Sequence, residues 1–128
     1  MSQRRKVVIT GIGPVTPVGT GVDAFWGGLT GGANGVHPIE AFDTSDLPVS
    51  VAGFPTDFVV GDHLDLKEAR RTDPFAQYAI ASAKLAWADA GAPEVRSERG
   101  AVIYATGIGG VQTLLAQHDV IREKGAGR

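Results

Sequence analysis

The placement of glycine limits this chain more than any other feature. Glycine occupies 18 of 128 positions, gathered into short groups between apolar runs. The groups are Gly11-Ile12-Gly13, Gly19-Thr20-Gly21, Gly27-Gly28, Gly31-Gly32 and Gly107-Ile108-Gly109-Gly110. Placed this way, glycine punctuates the chain and does not act as low-complexity filler. Such groups permit tight strand-to-helix turns and close backbone contacts, the pattern of a compact α/β protein.

The apolar runs between the glycines supply the elements. Lys6–Thr10 (KVVIT) is a β-branched run without polar alternation, which predicts a strand buried on both faces of a parallel sheet. Gly100–Thr106 (GAVIYAT) repeats the pattern and also ends in a glycine turn. The spacing predicts a helix from about Gly21–Asp23 to Leu29, capped by Thr20 or Asp23. Its two internal glycines weaken it by roughly 1 kcal/mol each relative to alanine. Residues 33–72 are irregular, with a short strand around Val49–Gly53. Asp73-Pro74 then opens the clearest helix, which Gly91 and Pro93 end. Phe75, Ala79, Ser82, Ala83, Ala86 and Ala90 fall on one side of it, a mostly small-residue stripe suited to close packing. Gln77, Ala81, Lys84 and Ala88 fall nearer the opposite face. A last amphipathic helix follows Gly110, with Val111, Leu114, Leu115, His118 and Ile121 on its apolar stripe. This alternation argues for an α/β fold with a parallel component. Two buried strands make a poor sheet, so residues 1–128 read as one incomplete domain.

Bulk properties exclude several functions. Twelve Lys+Arg against fourteen Asp+Glu give a formal charge of −2, no general attraction for nucleic acid or an anionic membrane. No apolar run approaches the roughly 20 residues that span a bilayer. The basic start lacks a signal-peptide core, so a cytoplasmic location is expected. Cysteine is absent, which excludes disulfides, Cys-ligated zinc and a cysteine nucleophile within these residues.

The candidate sites are few. Gly11-x-Gly13 runs into Pro14-Val15-Thr16-Pro17, so the third glycine of a dinucleotide fingerprint is missing. His37, His63 and His118 lack metal-ligand spacing; they read as loop surface for the first two and a helix face for the third. Lys67, Arg70 and Arg71 sit at i, i+3, i+4 spacing, as either a solvated turn or a docking patch for an acidic partner. Thr106–Gly110 lies where a strand's carboxyl end meets a helix start, and its glycines serve either packing or the approach of a ligand to the backbone.

Taken in order, the residues resemble the elongating β-ketoacyl-acyl-carrier-protein synthases. The similarity begins with Arg4-Arg5-Lys6-Val7-Val8-Ile9-Thr10-Gly11-Ile12-Gly13-Pro14-Val15-Thr16-Pro17-Val18-Gly19 and continues through Phe25-Trp26-x-x-Leu29, Gly35-Val36, Phe42-Asp43 and Ala52-Gly53. Lys67-Glu68-x-Arg70-Arg71-x-Asp73-x-Phe75-x-Gln77-Tyr78-Ala79, Asp89-Ala90-Gly91 and Thr106-Gly107-Ile108-Gly109-Gly110 complete it. The resemblance implies a thiolase-type fold, five-layered αβαβα when whole, of which this chain is about the first third, and usually a homodimer. It implies an acyltransferase that condenses acyl thioesters with malonyl-acyl carrier protein, with loss of carbon dioxide, in fatty-acid or polyketide elongation. No cofactor or metal is expected. The family's cysteine and histidines match nothing here, so no catalytic residue is assigned and the chain alone is expected to be inactive. Lys67, Arg70 and Arg71 match residues that dock acyl carrier protein. Ile108, between Gly107 and Gly109, matches a residue lining the acyl pocket. Two other readings share this fold or this patch: a non-catalytic chain-length partner, and a carrier-protein interaction module.

Overall fold

Among the described residues, short strands and four α-helices are built around the glycine turns. The computed structural model describes residues 6–126. Arg4 and Arg5, at the start of the synthase-like stretch, and Arg128 lie outside them. The chain forms two compact units, one from the segment up to Phe58 with Ser82–Glu94, the other from Val59–Ala81 with the segment from Val95 onward.

In the first unit, β1 (Val15–Thr16) and β2 (Gly19–Thr20) pair antiparallel. The Thr16 hydroxyl closes their turn by donating to the Gly19 carbonyl at 2.9 Å. Helix α1 (Val22–Thr30) follows, one residue longer than expected. Neither Thr20 nor Asp23 caps it. Gly21 is the N-cap at φ 85°, with no side-chain bond to the helix. Thr20 is engaged elsewhere, because its N–H and hydroxyl both donate to the Asp57 carboxylate at 2.9 Å. Asp23 sits in the first turn, where its charge suits the helix dipole. Gly28 earns its place, since a Cβ there would collide with the Val18 carbonyl, whereas Gly27 faces open space. Strands β3 (Val36–Pro38) and β4 (Val51–Gly53) form a second antiparallel pair in the register His37↔Ala52. The irregular excursion thus contains a two-stranded ladder, of which only the second strand is expected from the residues.

The two apolar runs depart from expectation. Neither Lys6–Thr10 nor Gly100–Thr106 is a strand, and Val7, Ile9, Val102 and Ile103 are 86–93% exposed. A β-strand exists only as part of a ladder, and no described residue pairs with either run. The parallel component is therefore not formed among the described residues, where both sheets are antiparallel.

Helix α3 (Pro74–Asp89) starts and stops where the sequence places it. Gly91, at φ 78°, donates to the Ala88 carbonyl and Ala92 to that of Trp87, the paired bonds of a Schellman cap. The small-residue stripe is used at Ser82, Ala86 and Ala90, whereas Ala83 on the same stripe stays exposed. Gly11 and Gly13 lie directly on Ala86, Ala90 and Ser82, so that a Cβ on either glycine would strike helix backbone. The Ser82 hydroxyl donates to the Gly13 carbonyl at 2.6 Å, and Ile12 N–H to the Asp89 carboxylate at 2.8 Å. Ala81, expected nearer the outer face, is fully buried, so the helix is covered on that side too at its middle. Because Gly91 needs a left-handed backbone and Gly27 does not, their alanine variants should diverge. Gly91→Ala should cost about 1 kcal/mol. Gly27→Ala should gain up to about 1 kcal/mol, and thermal melts of the two read the difference.

Candidate functional site

The second unit holds both features that the sequence singled out. Asp65 caps α2 (Leu66–Ala69), its carboxylate accepting from the Lys67 and Glu68 N–H groups. Leu64 and Ala69 are buried beneath this turn. The helix lasts only four residues, so the expected continuous helical face stops at Ala69. Lys67 stands on it, Arg70 is its C-cap and Arg71 follows in the turn. The turn is held from below by Gln77, whose side-chain amide donates to the carbonyls of Ala69 and Thr72, each at 2.9 Å. Sequence spacing puts Gln77 nearer the outer face of α3; its amide instead spans the break between two helices, adding a donor to the Ala69 carbonyl, which also accepts from the Thr72 N–H and hydroxyl, and to the Thr72 carbonyl.

All three cations are exposed, and none forms an ion pair among the described residues. Arg70 and Arg71 line a groove of about 470 Å³ together with Thr72, Asp73, Gln112 and Thr113. Lys67 does not line it. The opposite wall is helix α4 (Val111–Lys124), which begins and fades where its stripe predicts. The large residues of that stripe are exposed: Val111, Leu114, Leu115 and Ile121.

The glycine-rich loop does not line this groove but lies beside Asp73, which does. Thr106 Oγ1 accepts from Gly109 N–H at 3.2 Å, and Gly109 turns at φ 76°. Gly110 then lies against the Asp73 carboxylate so closely that a Cβ would collide with it. Gly109 lines a small cleft of about 120 Å³ with Asp73, Phe75 and Val111. Gly107 faces open space. Ile108 is 79% exposed, so it encloses no acyl-sized cavity with the described residues.

One feature of the first unit was missed. Sequence places His37 on the loop surface, yet its Nε2 is buried without a hydrogen-bond partner, and its ring meets Phe54 at 5.7 Å. The contact follows from the β3–β4 register, which periodicity over three-residue strands does not reveal. In the same unit, the Ser45 N–H and then its hydroxyl hold the Asp43 carboxyl below the usual carboxylate range. His118 is an exposed helix-face residue beside Asp119, as expected. Among the described residues no group of three or more His, Asp or Glu could hold a metal, and no helix is long and apolar enough to cross a membrane.

Residues 4–127 match the β-ketoacyl synthase N-terminal domain. The chain belongs to the β-ketoacyl synthase family. It is 41% identical to the 3-oxoacyl-[acyl-carrier-protein] synthase 2 of Staphylococcus aureus strain COL over 130 aligned positions, covering all of this chain and 31% of that protein. With the synthase 2 of Coxiella burnetii (strain RSA 493 / Nine Mile phase I) the identity is 40%, over 96% of this chain and 30% of the relative. The chain therefore spans about a third of the length of these curated relatives. Among solved structures, the ishigamide ketosynthase/chain length factor superposes with a TM-score of 0.71 at 30% identity, covering 96% of this chain and 31% of that one. This family membership bears out the resemblance read from the residues, and the superposition agrees with a synthase-type α/β fold for this portion.

Proposed function

We propose that the intact protein is an elongating 3-oxoacyl-acyl-carrier-protein synthase. The observation that supports this is the match to the family's N-terminal domain across residues 4–127. In this reading an acyl group passes from a carrier thioester to an enzyme thiolate. The malonyl C–CO₂ bond then breaks, and its electron pair forms the new carbon–carbon bond at the acyl carbonyl as the thiolate leaves. This chain holds no cysteine, so the thiolate belongs outside residues 1–128. The same reading gives the whole protein the five-layered thiolase-type fold, a homodimeric assembly and a cytoplasmic place in fatty-acid or polyketide elongation. It gives Lys67, Arg70 and Arg71 the docking of an acidic acyl carrier protein. Ile108, with Gly107 and Gly109, forms part of the acyl-pocket wall.

A second reading is favoured by the likeness to a ketosynthase/chain length factor: a partner of this fold that sets chain length without a nucleophile of its own. One experiment separates the two. The intact protein is incubated with an acyl-carrier thioester, then with malonyl-acyl carrier protein, and followed by intact mass and product analysis. A synthase gains a covalent acyl group, blocked by iodoacetamide, and releases a 3-oxoacyl product. Product formed only beside a second, cysteine-bearing chain identifies the chain-length partner. Neither adduct nor product in either setting refutes both.

A further inference from the structure

The groove beside Arg70 and Arg71 has a second wall that no charge pattern announces. Gln112, Thr113 and Ala116 on α4 face the two arginines across it. Residues 112 and 116 are one helical turn apart, so the three form a short continuous strip. All three are exposed. The strip carries no charge, offers an amide and a hydroxyl, and leaves a hollow at Ala116. The lining therefore has two positive charges, Arg70 and Arg71, against the single carboxylate of Asp73, which is partly turned to Gly110.

We propose that α4, through Gln112, Thr113 and Ala116, is part of the docking surface and reads an uncharged side chain of the acidic partner. This rests on the carrier-docking reading above and extends it from a basic turn to a two-walled groove. Charge complementarity selects the partner: the arginines attract its carboxylates from a distance but discriminate poorly between acidic surfaces. The second wall supplies shape. A bulky uncharged side chain of the partner fits the space over Ala116, and a longer residue at 116 closes it.

The test measures binding of the intact protein to an acyl carrier protein across a salt series. Ala116→Trp fills the hollow and leaves the arginines untouched. Affinity should fall about tenfold or more, with the salt dependence unchanged. Thr113→Glu, which sets a carboxylate on this wall in place of a large ring, should weaken binding to a similar degree, and it covers the case of a tryptophan variant that misfolds. Gln117→Trp, at a position that does not line the groove, should bind as the parent does. If both groove variants bind normally while Arg70→Glu/Arg71→Glu weakens binding, the second wall is refuted and the basic turn stands alone. If the arginine variant also binds normally, the carrier-docking reading falls with it. Equal loss in the Gln117→Trp variant would likewise overturn the assignment to the groove.

Discussion

Replacing Gly13 by valine is expected to lower stability by about 3 kcal/mol or more, among the largest losses available to any single substitution in this chain. The reason is contact with backbone. A Cβ at position 13 would press into the Ser82 carbonyl and the Ala86 amide, and it would lie 2.9 Å from the Leu85 Cβ. Backbone inside a helix cannot swing aside as a flexible side chain can. The Gly13 segment would have to lift, breaking the 2.6 Å bond from the Ser82 hydroxyl, itself worth about 1 kcal/mol. Gly13→Ala should show a smaller loss with the same cause, and Ser82→Ala should isolate the hydrogen bond. Urea denaturation followed by helical signal measures all three. A valine variant with the parent's midpoint would mean that Gly13 does not rest on α3.

The second large effect concerns binding. In the intact protein, Arg70→Glu/Arg71→Glu should weaken an acidic carrier by about 30-fold or more at low salt, because two attractions become two repulsions. The slope of affinity against salt should flatten or reverse, since exposed charges act through a screened field with a range of about 10 Å at 0.1 M. Both side chains are exposed and unpaired among the described residues, so the change leaves no broken ion pair behind and folding should be little altered. Fluorescence titration against the carrier at three salt concentrations measures it. An unchanged affinity, or a loss that is independent of salt, would remove the two arginines from the interface.

What could be read from the residues divides along physical lines. Helix limits were legible because their signals are local. Pro74 fits a first helical position, and Gly91 adopts the left-handed backbone that a Schellman cap requires. The close approach to α3 was legible in outline, because small residues recurring at helical spacing leave room for a neighbour; that Gly11 and Gly13 are the neighbour was not. Strand pairing failed as a local inference. Val7–Ile9 and Val102–Ile103 have strand composition, but a ladder needs a partner that no described residue supplies, while Val36–Pro38 pairs despite its proline because β3 is an edge. The site shows the same division. Three cations in five residues announce a basic turn, whereas the turn's floor on Gln77 and its facing wall on Gln112 and Thr113 depend on tertiary placement.

The clasp formed by Gln77 has a consequence for how fast and how tightly anything can settle on the arginines. Both bonds of its amide go to the short stretch of backbone that carries them, so that backbone is already ordered before a partner arrives. Association then has to freeze only the arginine rotamers, at about 0.5–1.5 kcal/mol for each immobilised side chain, and no loop-ordering entropy is added. A Gln77→Ala substitution shifts that cost onto the binding step while leaving every contacting atom in place.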